Sequence, residues 1–161
     1  MKAIHVFPSI VWITLAAIST GAVTWDNTSA DGAWSTAANW DGDVEPTSAD
    51  DVVFPVGLAG AVTASGTENA LSLSFTGDYT LSGGTVALAS GNSITVDDGV
   101  TATIQSTLNI TGGLIKLGNG TLVLGANNTN TTGNTIQAGT LRIEATNAMG
   151  GTTSVTTVND G

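Results

Sequence analysis

From Gly57 onward the chain is a series of very short apolar/polar alternations, and this pattern restricts the fold more than anything else in it. Leu71-Ser72-Leu73-Ser74-Phe75, Tyr79-Thr80-Leu81, Val86-Ala87-Leu88, Ile94-Thr95-Val96 and Val100-Thr101-Ala102-Thr103-Ile104 come first. Leu108-Asn109-Ile110, Leu114-Ile115-Lys116-Leu117 and Leu122-Val123-Leu124 follow, with centres about six to eight residues apart. Alternation with period two turns one side of each run inward and the other outward. The separators are Gly77-Asp78, Gly83-Gly84, Gly91-Asn92, Asp97-Asp98-Gly99, Gly112-Gly113 and Gly118-Asn119-Gly120. These are turn residues that tolerate positive φ. No stripe of helical spacing occurs in this region, and almost no Lys, Glu or Arg is present to support one. The pattern predicts an all-β chain.

Strands this short fit a sandwich or barrel of hairpins, or a parallel β-helix with three strands per coil. Three features favour the β-helix. The strand cores are shorter than the ~5–6 residues typical of sheets. Gly-Thr-Val at Gly84 and Gly-Thr-Leu at Gly120 and Gly139 are spaced 36 and 19 residues apart, near two coils and one coil. Thr and Asn fall at outward positions, where like residues stack into ladders. The expected inward column is Leu88, Leu108 and Leu124, continuing to Ile143.

The chain divides into three parts. Residues 1–22 read as a secretory signal peptide: Lys2 gives the positive start, Ile10 to Ile18 the apolar stretch, and Ser19-Thr20-Gly21-Ala22 the small residues for cleavage. The apolar stretch is too short to span a bilayer. Residues 23–56 hold three of the four tryptophans, Trp25, Trp34 and Trp40, and six of the ten aspartates. This block is expected to cap the first coil, since a solenoid must cover its open end. The other reading of the three rings is a stacking platform for sugars. A first strand is placed at Trp25 and another at Val52-Val53-Phe54. Residues 57–161 form the β-helix region.

Composition narrows the chemistry. There are 13 acidic and three basic residues, a net charge of −10. That excludes a nucleic-acid partner, which needs a Lys/Arg footprint, and an anionic membrane surface. Cysteine is absent, so thiolate chemistry, disulfides and Cys-ligated zinc are excluded. The one histidine, His5, would leave with the signal peptide. Asp41, Asp43 and Glu45 alternate like the start of a calcium loop. However, Pro46 stands where that loop needs Gly and no terminal Glu follows, so these and Asp50-Asp51 are read as solvated turn carboxylates. No catalytic, cofactor or metal residues are expected. Asn27, Asn109, Asn119, Asn127 and Asn130 lie in N-x-[ST] sequons of the kind a Thr/Asn-rich chain produces by chance. The polar stretch Ala126 to Gly133 is the longest insertion between runs, and such insertions often form the binding face of a solenoid.

Gly118-Asn119-Gly120-Thr121-Leu122-Val123-Leu124-Gly125-Ala126-Asn127, followed by Gly133-Asn134-Thr135-Ile136-Gln137-Ala138-Gly139-Thr140-Leu141, resembles the autotransporter-associated β-strand repeat. The middle departs from it: the usual aromatic is missing and one extra residue is present. Trp34 to Trp40, the Pro46 loop and Asp51-Val52-Val53-Phe54 look like the N-terminal start of large secreted bacterial proteins carrying these repeats. The resemblance implies a right-handed β-helix in the passenger region of a surface protein, with an outer-membrane anchor in a longer parent chain of which this would be a fragment. It implies a secreted or cell-surface location and a structural or adhesive role without catalysis, toward a host-surface or polysaccharide ligand. Two other functions compete. One is a sugar-binding module using Trp25, Trp34 and Trp40. The other is a β-helix polysaccharide lyase or hydrolase acting through Asp97 and Asp98, with Lys116 and Arg142 the only basic partners in reach.

Overall fold

The computed structural model describes residues 21–89, 93–130, 132–151 and 156–159. Most of the expected signal peptide, residues 1–20, lies outside them. The described residues form β-strands wound into a parallel β-solenoid of about five turns. The strands are β1 (Ala22–Thr24), β2 (Asp51–Phe54), β3 (Gly60–Ala70), β4 (Ser72–Phe75), β5 (Tyr79–Leu88), β6 (Ser93–Val96) and β7 (Thr101–Ile104). They continue with β8 (Thr107–Ile110), β9 (Ile115–Leu117), β10 (Thr121–Leu124), β11 (Asn134–Ile136), β12 (Thr140–Ile143) and β13 (Thr156–Val158). Each strand pairs with the strand one coil away, in parallel.

Three faces result. The first is the sheet β1-β2-β4-β6-β9-β11-β13; the second runs β12-β10-β7-β5-β3. The third is made by the far halves of β3 and β5 together with β8, with Thr85 beside both Thr67 and Thr107. β3 and β5 each serve two faces because they bend midway. Pairing shifts between Ala64 and Thr67, and Gly83 and Gly84 take φ of 73° and 28°. A Cβ on Gly84 would lie 2.4 Å from the Gly66 carbonyl oxygen, so only glycine lets the two bent strands stack there.

The alternation seen in the sequence sets what is inside. On the first face Val52, Leu73, Ile94 and Lys116 occupy one interior column, each beside the next. Successive members lie 21, 21 and 22 residues apart, which is one coil. On the second face Val62, Leu81, Ile104, Leu124 and Ile143 form another. The two Gly-Thr-Leu strands are one coil apart as expected, with Thr121 beside Thr140 and Leu122 beside Leu141.

Two expectations about register are corrected. Gly84-Thr85-Val86 lies on the third face and Gly120-Thr121-Leu122 on the second, so their 36-residue spacing is not two turns of one column. Leu88, Leu108 and Leu124 also belong to separate columns: Leu88 sits beside Ala70 and Ile110, Leu108 beside Val86, and Leu124 beside Ile104 and Ile143. The corners differ in length, so equal sequence spacing does not carry a side chain to the same place on the next coil.

Between β1 and β2 the chain leaves the solenoid path and folds over its end. β1 stops at Thr24, and Trp25 makes an isolated bridge to Trp40 in place of the strand expected to begin there. A 3-10 turn, Ala37–Asn39, leads into Trp40. Trp25, Trp34 and Trp40 are buried. Their rings pack edge to face, with centroids 4.9 Å apart for Trp25–Trp40 and for Trp34–Trp40, the arrangement aromatic quadrupoles favour. All three meet Phe54 on the first coil at 5.8 to 6.2 Å. Phe54 in turn stacks on Phe75 at 4.9 Å. The cap is thus joined to the interior by a continuous run of rings.

Candidate functional site

The three tryptophans are at most 1% exposed. Their ring faces are covered by one another and by Phe54, so none is open for a sugar to stack on. This corrects the platform reading. It follows from packing: large apolar rings beside an exposed coil end gain most by covering it.

The acidic residues do not converge. Asp41 and Asp43 are exposed on the turn after Trp40, where Gly42 and Asp43 have φ of 83° and 54°. Asp50 is buried, and its Oδ2 accepts hydrogen bonds from the Thr47 N–H and hydroxyl at 2.8 and 2.6 Å. It is therefore a turn cap, not the solvated carboxylate expected. Asp51 accepts from the Ser72 hydroxyl at 2.5 Å. Asp97 and Asp98 are exposed at the corner after β6. Among the described residues no three acidic or histidine side chains are close enough to share a metal ion.

The two basic residues proposed as partners for those carboxylates are engaged elsewhere. Lys116 is fully buried in the first-face column. Its Nζ donates to the Leu117 and Gly118 carbonyls at 2.7 Å each and to Ala138 on the next coil at 3.2 Å. Burial lowers its pKa, as expected for an ammonium removed from water. Arg142 is exposed on β12 and ion-pairs with Glu144. The inward orientation of Lys116 was not legible: apolar Ile115 and Leu117 flank it, and alternation alone would turn them inward and the lysine outward.

In the polar stretch Ala126 to Gly133, Asn127, Thr129, Thr132 and Gly133 are exposed, but two of its asparagines turn inward. Asn128 and Asn130 are buried. Asn128 accepts from the Leu108 N–H at 2.8 Å and donates to the Ala148 carbonyl at 2.7 Å, joining three successive coils. Asn134 does the same between the Leu114 N–H and the Met149 carbonyl, at 2.9 Å each. Asn128 lies beside β8 of the third face and Asn134 starts β11 on the first; both satisfy backbone groups that would otherwise be buried without partners.

Sequence reasoning missed one cluster. Glu68 occupies an interior position of β3, beside Val86, and is buried. Its Oε1 accepts the N–H groups of Ser65 and Gly66 at 3.0 and 3.3 Å. Burial, a hydrogen bond with Glu68 and repulsion from it raise the Glu45 pKa above its ordinary 4.5. The cap also holds Asp31, whose carboxylate accepts from Ala33 N–H, Asn39 Nδ2 and the Thr36 hydroxyl at 2.6 to 2.9 Å. These bonds hold its pKa far below the usual carboxylate range.

Two shallow grooves lie on the outer surface. One, about 310 Å³, is bordered by Gly60, Asp78, Thr80, Thr101 and Thr103. The other, about 290 Å³, lies between Asn119, Gln137, Gly139 and Asn159. Both are lined by turn and ladder residues.

The class the fold defines is a parallel β-solenoid closed at one end by an aromatic cap. Comparison with protein-family models, with curated proteins and with solved structures finds no match.

Proposed function

We propose that this chain is a non-catalytic extracellular or cell-surface structural module, a passenger segment of an autotransporter-like protein. The observation that carries the reading is where the reactive side chains go. The buried ammonium of Lys116 is committed to three backbone carbonyls, Arg142 to Glu144, and the exposed carboxylates stand apart at corners. What is left outward is a set of neutral ladders such as Thr101-Thr121-Thr140 and Thr67-Thr85-Thr107. A polysaccharide or host-surface ligand would meet hydroxyls at strand spacing there, about 4.8 Å apart. The charged–apolar–small order of residues 1–22 supports export.

The reading is tested by expressing the full chain in a Gram-negative host and following it by mass spectrometry and fractionation. Cleavage near Ala22 with the product outside the inner membrane is expected. An intact chain retained in the cytoplasm would overturn it.

A further inference from the structure

Asp50 is 2% exposed, and only one of its two carboxylate oxygens is bonded. Oδ2 takes the N–H and hydroxyl of Thr47. Oδ1 is buried without a partner among the described residues. A buried carboxylate left half satisfied calls for a cation or a further donor. The basic side chains do not supply one: Lys116 lies on β9 and gives its ammonium to three carbonyls, and Arg142 lies on β12 beside Glu144. Leu71, on the next coil, gives its N–H to the Asp50 carbonyl and is otherwise apolar. The neighbouring acid, Asp51, is exposed and accepts from the Ser72 hydroxyl.

The start of β1 lies on the other side of Asp50. β1 pairs with β2 in parallel, with Ala22 beside Asp51 and Val23 beside Val52. Carried back one residue, this register sets Gly21 beside Asp50, so the Gly21–Ala22 bond runs past it. The same bond falls in the small-residue stretch read as a cleavage site. Ser19 and Gly21 stand at the two positions that an A-x-A-like site needs small when the cut follows Gly21. A cut after Ala22 would instead remove the first paired residue of β1. Hydrolysis adds water across the bond and leaves a carboxylate on Gly21 and an amine on Ala22. That amine is protonated below its ordinary pKa of about 7.7–8.0. A backbone N–H thus becomes a cation with three donors, close to a carboxylate oxygen that lacks one.

We propose that a signal peptidase of the export machinery cuts between Gly21 and Ala22, and that the new α-ammonium of Ala22 pairs with Asp50 and ties β1 to the first coil. The inference rests on the export reading above; it adds to it the bond that is cut and a role for the terminus the cut makes. β1 is the outermost strand of its sheet, and Trp25 of the lid follows it directly. Removing the export segment and fastening the capped end are then one event, because the cut itself makes the cation that the interior acid lacks.

The test expresses the full chain in a Gram-negative host, weighs the exported product by mass spectrometry and treats it with acetic anhydride at about pH 7. Cut at this bond, the product keeps two amines, at Ala22 and at the buried Lys116, so the label is assigned directly. A product beginning at Ala22 is expected. Its α-amine should label more slowly in wild type than in Asp50→Asn, about tenfold for each unit by which the carboxylate raises its pKa. Asp51→Asn should label as wild type does. A second arm makes Ala22 the first residue by removing an N-terminal tag. Freeing the amine should raise the melting temperature of wild type and leave that of Asp50→Asn unchanged, a coupling that a merely structural Asp50 would not show. If Asp50→Asn does not fold, wild type decides alone, by slower labelling when folded than in urea and by the gain on tag removal. A different first residue in the exported product overturns the cut. Equal labelling in wild type and Asp50→Asn, or no gain on freeing Ala22, overturns the pairing. Faster labelling in Asp51→Asn moves the ammonium to the exposed carboxylate and overturns the assignment to Asp50. An intact chain retained in the cytoplasm overturns the export reading and the cut together, while the tag-removed protein still decides the pairing.

Discussion

The cap and the later described coils share one backbone scheme and are held by different forces. At the cap, the interior is filled by rings: Trp25, Trp34, Trp40, Phe54, Phe75 and Tyr79 are all buried. In the last described coils, Ile143 of β12 is 44% exposed and Val158 of β13 is 67% exposed. There the amides of Asn128, beside β8 of the third face, and of Asn134, on β11 of the first, reach across coils. Parallel pairing supplies hydrogen bonds equally along the rod. What varies is how the space between the sheets is filled. Burial of large rings fixes the cap, and satisfaction of backbone groups fixes the later coils.

The sharpest way to break this contrast is to remove a ring. Phe54→Ala deletes the residue that touches all three tryptophans and stacks on Phe75. A loss of about 3–5 kcal/mol is expected in denaturant unfolding, with the tryptophan emission shifted to the red. Asn128→Ala acts on the other end. It leaves the Leu108 N–H and the Ala148 carbonyl unpartnered, and a loss of about 1–3 kcal/mol is expected. Its effect should appear as faster hydrogen exchange at Leu108 while the cap tryptophans stay protected. If Asn128→Ala disturbs the cap as much as Phe54→Ala does, the two ends are not held separately.

This division also marks what could be read from the sequence. Strands with an inward apolar side chain every second residue, such as Ser72–Phe75 and Thr107–Ile110, were legible because alternation and burial coincide. β3 was not: Gly60–Ala70 has small side chains inside and Glu68 at an interior position, so its alternation carries no hydrophobic signal. The cap was legible as a cluster of tryptophans, since rings of that size have to be covered. Asn128 and Asn134 read as loop residues because a buried amide and a solvated one look alike until the coils are stacked. Lys116 was legible neither in direction, because apolar Ile115 and Leu117 flank it, nor in surroundings, because its carbonyl partners come from a corner and from the next coil.

Lys116 gives the smallest and most discriminating prediction, because it is a charge placed in the aliphatic column that both ends share. Leu117, Gly118 and Ala138 are half-exposed, so water can take over their carbonyls if the ammonium is removed. Met fills the same space as the lysine stem. Replacing a buried charge by a well-packed apolar side chain is often neutral or stabilising, and Lys116→Met is expected to stay within about 1 kcal/mol of wild type at pH 7. The pH dependence separates the two proteins. The folded pKa of Lys116 lies below its ordinary 10.5, so between the two values the folded chain binds fewer protons than the unfolded one and stability rises with pH. Below the folded value the cost of burying the charge is present in full. Wild type should therefore gain on Lys116→Met as pH approaches 10.5, by about 1.4 kcal/mol for each unit of lowering. Tyr79, its hydroxyl donating to the Pro55 carbonyl at 2.9 Å, is pushed by burial up to about 12 and does not titrate in that range. Parallel melting curves of the two proteins from pH 7 to 10.5 measure the difference. If they never diverge, and the variant loses more than about 3 kcal/mol at pH 7, the ammonium is a staple between coils and the later coils owe their hold to charge as well as to amides.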